Sequence, residues 1–355
     1  MPDVTANAAA AADTARRKAA TPRLAGLDAG RLLAAAAVVW IHSLGINPHH
    51  AWLSDAGRFA VPFFAFAATA LIGESFRRAH AAVRRTPFPH YAAARFLRIY
   101  VPFAVWSLLY FLLRDAKHLL HPAASPAITL DLSVFLVGTA HHLWFLPFIF
   151  LITLAAYPLA KLLIRKGPLA RGLAVLLLLA GIAACIVPSP VSYDDAASGA
   201  WNHAKYALGL GWNALPAACW GLAVIPLFPR LQTLFQRSRM LGIPALAFSA
   251  AAMVFDMRYG DHMPLSNIAG VAFFFAAIAM PSAPLIALLA RGGKFAYSIY
   301  LVHVAILLAF DTALIRNRDT VSTLFLVVLF ALTFALSLMV SWLATKSRLL
   351  RWAFP

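Results

Sequence analysis

Charged residues are scarce in this chain of 355 residues, and acidic residues are the scarcest of them. Asp, Glu, Lys and Arg together make up 12% of the sequence, whereas a soluble globular domain carries about 25%. Hydrophobic residues make up 62%. A single water-soluble core cannot bury that much apolar surface, so we predict that lipid is the solvent of most of the chain.

Cysteine is almost absent, since the chain has only Cys185 and Cys219. Both lie in apolar runs, and neither has a second Cys or a His at the spacing of metal ligands. The sequence therefore predicts no disulfide framework and no metal site. We expect the two thiols to be small residues packed between helices.

Basic residues outnumber acidic ones, 30 to 13, which gives a formal net charge of +17. Such a charge can indicate a nucleic-acid-binding protein, but here the Lys and Arg residues form short clusters between apolar runs. That distribution is typical of the cytoplasmic loops of a membrane protein. We therefore expect lipid, and no nucleic acid, as a partner.

Apolar runs long enough to cross a bilayer recur along the whole chain. They predict an all-α fold, a polytopic membrane helix bundle with about ten transmembrane helices. The predicted spans are 26–46, 57–76, 96–113, 143–164, 169–187, 205–228, 240–257, 264–281, 295–315 and 322–343.

The distribution of Lys and Arg gives this bundle an orientation. With the N-terminus inside, 23 of the 30 basic residues fall on cytoplasmic segments and 7 on outer segments. This is the asymmetry that membrane insertion imposes on short loops. Because the number of spans is even, we expect both the N-terminus and the C-terminus to face the cytoplasm.

The ends of the chain differ in composition from the predicted spans. Residues 1–25 are rich in Ala and basic residues and lack the apolar segment of a cleavable signal peptide, so we expect a disordered cytoplasmic tail. Residues 26–345 would form one membrane domain, and 346–355 a short cytoplasmic tail. Between the third and fourth spans, the stretch "LSVFLVG" is too short to cross and predicts an interfacial or re-entrant segment.

The first predicted span carries ionisable residues, which are costly inside a bilayer and by default indicate a function. Arg31 and His42 are 11 residues apart, which places them on the same face of a helix with a rise of about 16 Å between them. Asp28 lies one turn before Arg31 and can pair with it. His42 suits proton exchange near neutral pH. The alternative is a histidine solvated by lipid headgroups, with Arg31 extending to the membrane surface.

A second candidate feature is "RFLRIYVP", at the start of the third span. Arg95 and Arg98 are spaced i and i+3, so an α-helix would present them on one face at the inner end. Arginine forks bind phosphate groups in a bidentate manner, so this pair could hold a phosphorylated ligand. The alternative is simple anchoring by cytoplasmic positive charge.

Two later segments carry further polar residues. In "YSIYLVH", His303 lies inside the ninth span, shortly after Ser298 and Tyr300. In "HHLWFLPFIFLI", two histidines and Trp144 open the fourth span at the outer face. A structural histidine and an interfacial aromatic belt are the competing explanations for these segments.

Taken in order, "LDAGRLLAAAAVVWIHS", "RFLRIYVP", "HHLWFLPFIFLI" and "YSIYLVH" resemble the acyltransferase 3 family of bacterial membrane acyltransferases. The resemblance covers nearly the whole chain. It implies a ten-helix bundle in the bacterial inner membrane that transfers acyl groups, usually acetyl from acetyl-CoA, onto sugars of surface polysaccharides. In organisation the chain is similar to stand-alone exopolysaccharide O-acetyltransferases that modify xanthan-type polymers.

The resemblance also implies roles for individual residues. His42 would be the catalytic histidine with Arg31 as its essential companion, and Arg95 and Arg98 would bind the acyl-CoA. Trp144, Tyr300 and His303 match positions that recur in the family and would have supporting roles. Asp28, from its spacing, would support the site by orienting Arg31. Acetyl-CoA enters such a reaction as a donor substrate, so no bound cofactor is expected, and the acceptor would be a polysaccharide or a lipid-linked oligosaccharide.

Three alternatives remain open at this point. Intramembrane His and Arg also occur in transporters and flippases of glycans or lipid-linked sugars. A structural subunit of an envelope assembly is a second alternative, although a scaffold has no need for the polar residues of the first span. A related enzyme that transfers succinyl or another acyl group is the third.

Overall fold

The computed structural model is helical throughout. It describes residues 24–81, 87–120, 131–165, 167–192, 200–259, 263–281, 283–315, 317–347, 350 and 353–354. Every regular element within these ranges is a helix, which confirms the predicted all-α fold. Almost all of the predicted N-terminal tail, and the basic residues Arg84, Arg85 and Lys166, lie outside the described residues.

Helices of very different lengths follow one another in the described ranges. The α-helices are α1 (Ala25–Leu44), α2 (Ala60–Ala81), α3 (Phe88–Arg95), α4 (Val101–Leu120), α5 (Val134–Val137), α6 (Phe145–Leu163), α7 (Pro168–Ile186), α8 (Ala200–Ala223), α9 (Phe228–Arg237), α10 (Gly242–Tyr259), α11 (Met263–Ala279), α12 (Pro284–Gly293), α13 (Ala296–Leu314) and α14 (Thr323–Ala344). A π-helical segment, Phe96–Tyr100, joins α3 to α4. The 3-10 segments are Pro48–Gly57, His141–Trp144, Arg239–Leu241 and Arg318–Thr320.

Membrane-spanning length is reached at most of the predicted positions. Among the described residues, 8 helical stretches are long and apolar enough to cross a bilayer, and α8 with α9, bent by 90° at their junction, makes a ninth. Helix α11 is apolar but shorter. The polytopic bundle is thus confirmed, while the count of ten spans stays a prediction. The "LSVFLVG" stretch forms only the one-turn helix α5, which packs against α6 and α8.

Helices α1, α13 and α14 pack side by side and establish the relative direction of the first and last helices. Near its start, α1 packs Leu32 in a cluster with Phe295, at the start of α13. Near its end, α1 packs Leu44 in a cluster with Leu307 and with Leu326, at the start of α14. Helices α1 and α13 are therefore parallel and α14 is antiparallel to both, so the first helix begins at the end of the bundle where the last one finishes.

Burial divides the helices into an inner and an outer set. In the apolar stretches of α1 and α6, 56% of the residues are buried within the protein, compared with 11% in α7 and 22% in α14. The exposed faces of α7 and α14 are nonetheless apolar, with Leu176, Leu179, Leu324 and Leu332 among their exposed side chains. Lipid is the solvent that such a face requires.

The inner helices approach each other closely where small residues meet. An added Cβ at Gly221 of α8 would lie 2.0 Å from Oγ1 of Thr69 and 2.6 Å from the carbonyl oxygen of Phe66, both on α2. At Gly293, which ends α12, it would lie 2.0 Å from the carbonyl oxygen of Asp28. Small residues at helix crossings are the usual means of tight packing in membrane proteins, where lipid leaves little hydrophobic force between helices.

We predict that Gly221→Ala destabilises the protein, because α2 and α8 must separate to make room for the methyl group. Overpacking of this kind costs about 1–3 kcal/mol. Gly172→Ala in α7 is the matched control, since nothing lies within 4 Å of a Cβ at that position. There the higher helix propensity of Ala should leave stability unchanged or raise it by up to about 1 kcal/mol. Thermal unfolding of both purified variants in detergent measures the difference, and equal melting temperatures would contradict the packing argument.

Candidate functional site

Four histidines from three separate segments meet near one end of the bundle. His42 lies close to the C-terminus of α1, and His303 lies in α13, which runs parallel to α1. His141 and His142 open the 3-10 turn that leads into α6. The His42 ring centroid is 5.0 Å from that of His141, 5.1 Å from His303 and 5.9 Å from His142. We call this group the histidine cluster.

One direct contact between imidazole nitrogens joins the two accessible members of the cluster. Nε2 of His141 lies 3.3 Å from Nδ1 of His42. His141 is exposed and His42 is half-buried. Within the described part of the chain, Nε2 of His42 has no protein hydrogen-bond partner.

His142 and His303 form the buried side of the cluster. Nδ1 of His303 donates to two carbonyl oxygens of its own helix, that of Tyr300 at 2.8 Å and that of Ile299 at 3.1 Å. Its Nε2 is buried without a partner among the described residues, as are both ring nitrogens of His142. Buried polar atoms are normally satisfied, and exceptions often mark sites of chemistry or binding.

Two tyrosines hold the backbone around these rings. The Tyr300 hydroxyl donates to the carbonyl oxygen of His142, and so ties α13 to the 3-10 turn. The Tyr110 hydroxyl of α4 donates to the carbonyl oxygen of Leu301 at 2.7 Å and accepts from the amide of Ala305 at 3.0 Å. The Tyr110 ring centroid is 5.1 Å from that of His142. Helices α4 and α13 are thus fastened together beside the histidine cluster.

The segment just before His141 is fixed to α4. Gly138 has a φ of 76°, and a Cβ there would lie 2.8 Å from Oγ of Ser107, so only glycine fits. NH1 of Arg114 donates to the carbonyl oxygen of Thr139 at 2.8 Å. The Thr139 hydroxyl in turn donates to the carbonyl oxygen of Ser107. These contacts position the backbone from which the His141 side chain extends.

The predicted ion pair in α1 is present. NH1 of Arg31 lies 2.9 Å from Oδ1 of Asp28, and the two side chains are 39% and 22% exposed. Both lie in the first two turns of α1, about three turns and 16 Å of helical rise from His42. Arg31 and His42 therefore belong to one helix but to opposite ends of the bundle.

Arg95 and Arg98 lie at the junction of α3 with the π-helical segment. A π-turn holds more residues than an α-turn and is frequent at functional sites. The segment that follows Arg95 is therefore not the regular α-helix that the i, i+3 prediction assumed. Arg95 lies over the Tyr91 ring, 5.1 Å from its centroid, whereas Arg98 is exposed. Nearby, the Tyr297 hydroxyl of α13 donates to the carbonyl oxygen of Ile99 at 3.3 Å.

The structure separates the supporting residues predicted from the sequence into two groups. His303 belongs to the histidine cluster and Tyr300 lies beside it, with ring centroids 5.2 Å and 5.5 Å from that of His142. Trp144 is buried, but its described ring contacts are with Phe145 and Phe148. Its place is in the packing of α6.

The other residues that build this end of the bundle were hard to recognise from the sequence. His141 and His142 were visible as a doublet before an apolar run, which an interfacial position explains equally well. Tyr110 and Arg114 lie in an ordinary apolar helix and its basic end, and only the packing of α4 shows their contacts.

Among the described residues, no group of three or more His, Cys, Asp or Glu side chains has the arrangement of a metal site.

The similarity of this chain to a known protein family extends over the whole helix bundle. A family model described as an acyltransferase domain matches residues 24–342, nearly the full chain. No curated protein and no solved structure matches. The matched range contains the Asp28–Arg31 ion pair, Arg95, Arg98 and every member of the histidine cluster. Its extent establishes what kind of protein this is. The chain belongs to the acyltransferase 3 family and is a membrane acyltransferase.

Proposed function

We propose that the protein is an O-acetyltransferase of the bacterial inner membrane, which moves an acetyl group from cytosolic acetyl-CoA to a sugar hydroxyl of a surface or exported polysaccharide. His42 is the general base in this proposal. The observation that carries it is the histidine cluster, where an accessible imidazole with a free Nε2 lies inside the bundle of an acyltransferase. Histidine is the side chain best suited to accept a hydroxyl proton near neutral pH.

The donor would enter from the opposite end of the bundle. Arg31, Arg95 and Arg98 supply positive charge there, and Arg98 is exposed. Guanidinium groups bind phosphates well, so these residues are suited to the nucleotide part of acetyl-CoA. The rise of about 16 Å from Arg31 to His42 is comparable to the length of a pantetheine arm. The thioester could thus reach His42 while the nucleotide stays at the inner face.

The transfer itself needs no covalent enzyme intermediate. The acceptor hydroxyl oxygen attacks the thioester carbonyl carbon while Nε2 of His42 takes the hydroxyl proton. Collapse of the tetrahedral intermediate breaks the carbon–sulfur bond, and the proton held by His42 passes to the leaving CoA thiolate. The products are the O-acetylated sugar and CoA. An acyl-histidine at His42 is the covalent alternative, with the same overall balance.

The rival transporter function is less well supported by the helix architecture. Transporters commonly carry broken helices at corresponding positions of two repeats. In the described ranges one helix pair, α8 with α9, is bent within a span. A succinyl or other acyl donor stays an alternative within the same enzyme class, and the mass added to the isolated glycan distinguishes it from acetyl.

We predict that His42→Ala lowers acetyl transfer by about 10²- to 10⁴-fold, the usual contribution of a general base. The assay measures label passing from acetyl-CoA to the glycan fraction in membranes that contain the protein. His49→Ala is the matched control, since His49 is an exposed histidine on the 3-10 segment that follows α1. The control should keep full activity. Normal transfer by a well-expressed His42→Ala protein would rule out His42 as the base.

We predict that Arg98→Ala raises the KM for acetyl-CoA by about tenfold or more and changes kcat little, because it removes a phosphate contact and leaves the base intact. Arg98→Lys should recover part of the affinity, since it restores charge without the bidentate fork. Arg171→Ala, which removes an exposed arginine at the start of α7, is the control. Initial rates over a range of acetyl-CoA concentrations test this. An unchanged donor KM in Arg98→Ala would contradict the phosphate role.

A further inference from the structure

We propose that His141 is a positioning residue that holds His42 in the tautomer whose free Nε2 can act as the base. The inference deepens the proposed function and rests on it. The geometric basis is the contact of 3.3 Å between Nε2 of His141 and Nδ1 of His42. Neither residue's spacing in the sequence indicates this pairing, because the two lie 99 positions apart.

The direction of this hydrogen bond decides what His42 can do. A neutral imidazole carries one proton, so one nitrogen donates and the other accepts. If Nδ1 of His42 carries the proton and donates it to His141, then Nε2 has the lone pair that a general base needs. If His141 donates instead, His42 carries its proton on Nε2 and cannot accept one there. Base catalysis at Nε2 therefore requires His141 as the acceptor.

An orienting acceptor has a second effect once His42 has taken a proton. The imidazolium then has two N–H groups, and the one at Nδ1 keeps its partner in Nε2 of His141. Hydrogen bonds from charged donors are shorter and stronger than neutral ones. The contact thus stabilises the charged form of His42 that develops during attack. An acidic residue performs this task in serine hydrolases, and here a neutral imidazole would do so.

The protein holds His141 firmly enough for this task. On one side, Arg114 and Ser107 of α4 bind Thr139, two residues earlier. On the other side, the Tyr300 hydroxyl binds the carbonyl oxygen of His142. The backbone of His141 is therefore fastened to α4 and to α13 at once. Orientation of a catalytic group depends on this kind of supporting contact.

The other two histidines do not take the same place. His142 and His303 meet the His42 ring at centroid distances of 5.9 Å and 5.1 Å. In the described part of the chain, however, only His141 makes a nitrogen-to-nitrogen contact with His42. His142 and His303 are also buried, whereas His42 and His141 are accessible. The pair that can meet an acceptor hydroxyl is thus the pair that shares the hydrogen bond.

Two substitutions at one position test the proposal. His141→Phe keeps a planar ring but removes the acceptor, and it should lower kcat by about 10- to 100-fold with the acetyl-CoA KM unchanged. His141→Gln places an amide oxygen near the position of Nε2, where it can accept from Nδ1 of His42. The kcat of the Gln variant should be at least tenfold higher than that of the Phe variant. His49→Phe, at an exposed position of the 3-10 segment that follows α1, is the matched control for the change of residue type.

The outcomes separate this proposal from the one on which it rests. Melting temperatures of the purified variants exclude misfolding as the cause of any loss. If His42→Ala is inactive and His141→Phe has normal kcat, the positioning role is overturned and the base assignment survives. If His141→Gln is as inactive as His141→Phe, an acceptor at this place is not what the reaction needs, and the role is again overturned. If His42→Ala remains active, the failure lies in the proposed function itself.

Discussion

The cost of placing an imidazole among lipid-facing helices is the constraint on which this structure depends. A polar side chain in an apolar medium needs a partner, a cavity or both. Four histidines meet this need together, since each ring contacts at least one other ring. Their convergence in turn requires α1, α4, α13 and the 3-10 turn before α6 to meet at one end of the bundle. The tyrosine and arginine contacts that fasten these elements are therefore part of the site.

The features that depend on residues close together in the sequence could be predicted from the sequence. Apolar runs of sufficient length specify helices because a lipid-solvated backbone has to satisfy its hydrogen bonds internally. The Asp28–Arg31 pair follows from their i, i+3 spacing and is present at 2.9 Å. The Arg95–Arg98 spacing was less informative, because a π-helical segment replaces the expected α-turn. Nothing in the order of residues around "RFLRIY" signals that extra width.

Contacts between distant segments could not be predicted in this way. The pairing of His42 with His141 depends on how α1 packs beside the turn before α6. The role of Tyr110, whose hydroxyl bonds α13 from α4, depends on a contact across 191 positions. Helix packing in lipid is decided by close steric fit, as at Gly293 against Asp28, more than by hydrophobic patterning. A single sequence shows the glycine but not its neighbour, and so the site had to be found in three dimensions.

The histidine cluster has a buried side, His142 and His303, and a more accessible side, His42 and His141, and this division bears on where a proton is held. His142 and His303 are buried, and both ring nitrogens of His142 and Nε2 of His303 have no partner among the described residues. His42 is half-buried and His141 is exposed. In the proposed reaction, a proton accepted on Nε2 of His42 is held at this accessible side, where it can pass to the leaving thiolate. In the proposed reaction His141 stabilises the charge on His42 through their hydrogen bond, so a displacement of α1 relative to the 3-10 turn would weaken that stabilisation. Arg114 and Tyr300 restrain that displacement from both sides of the turn.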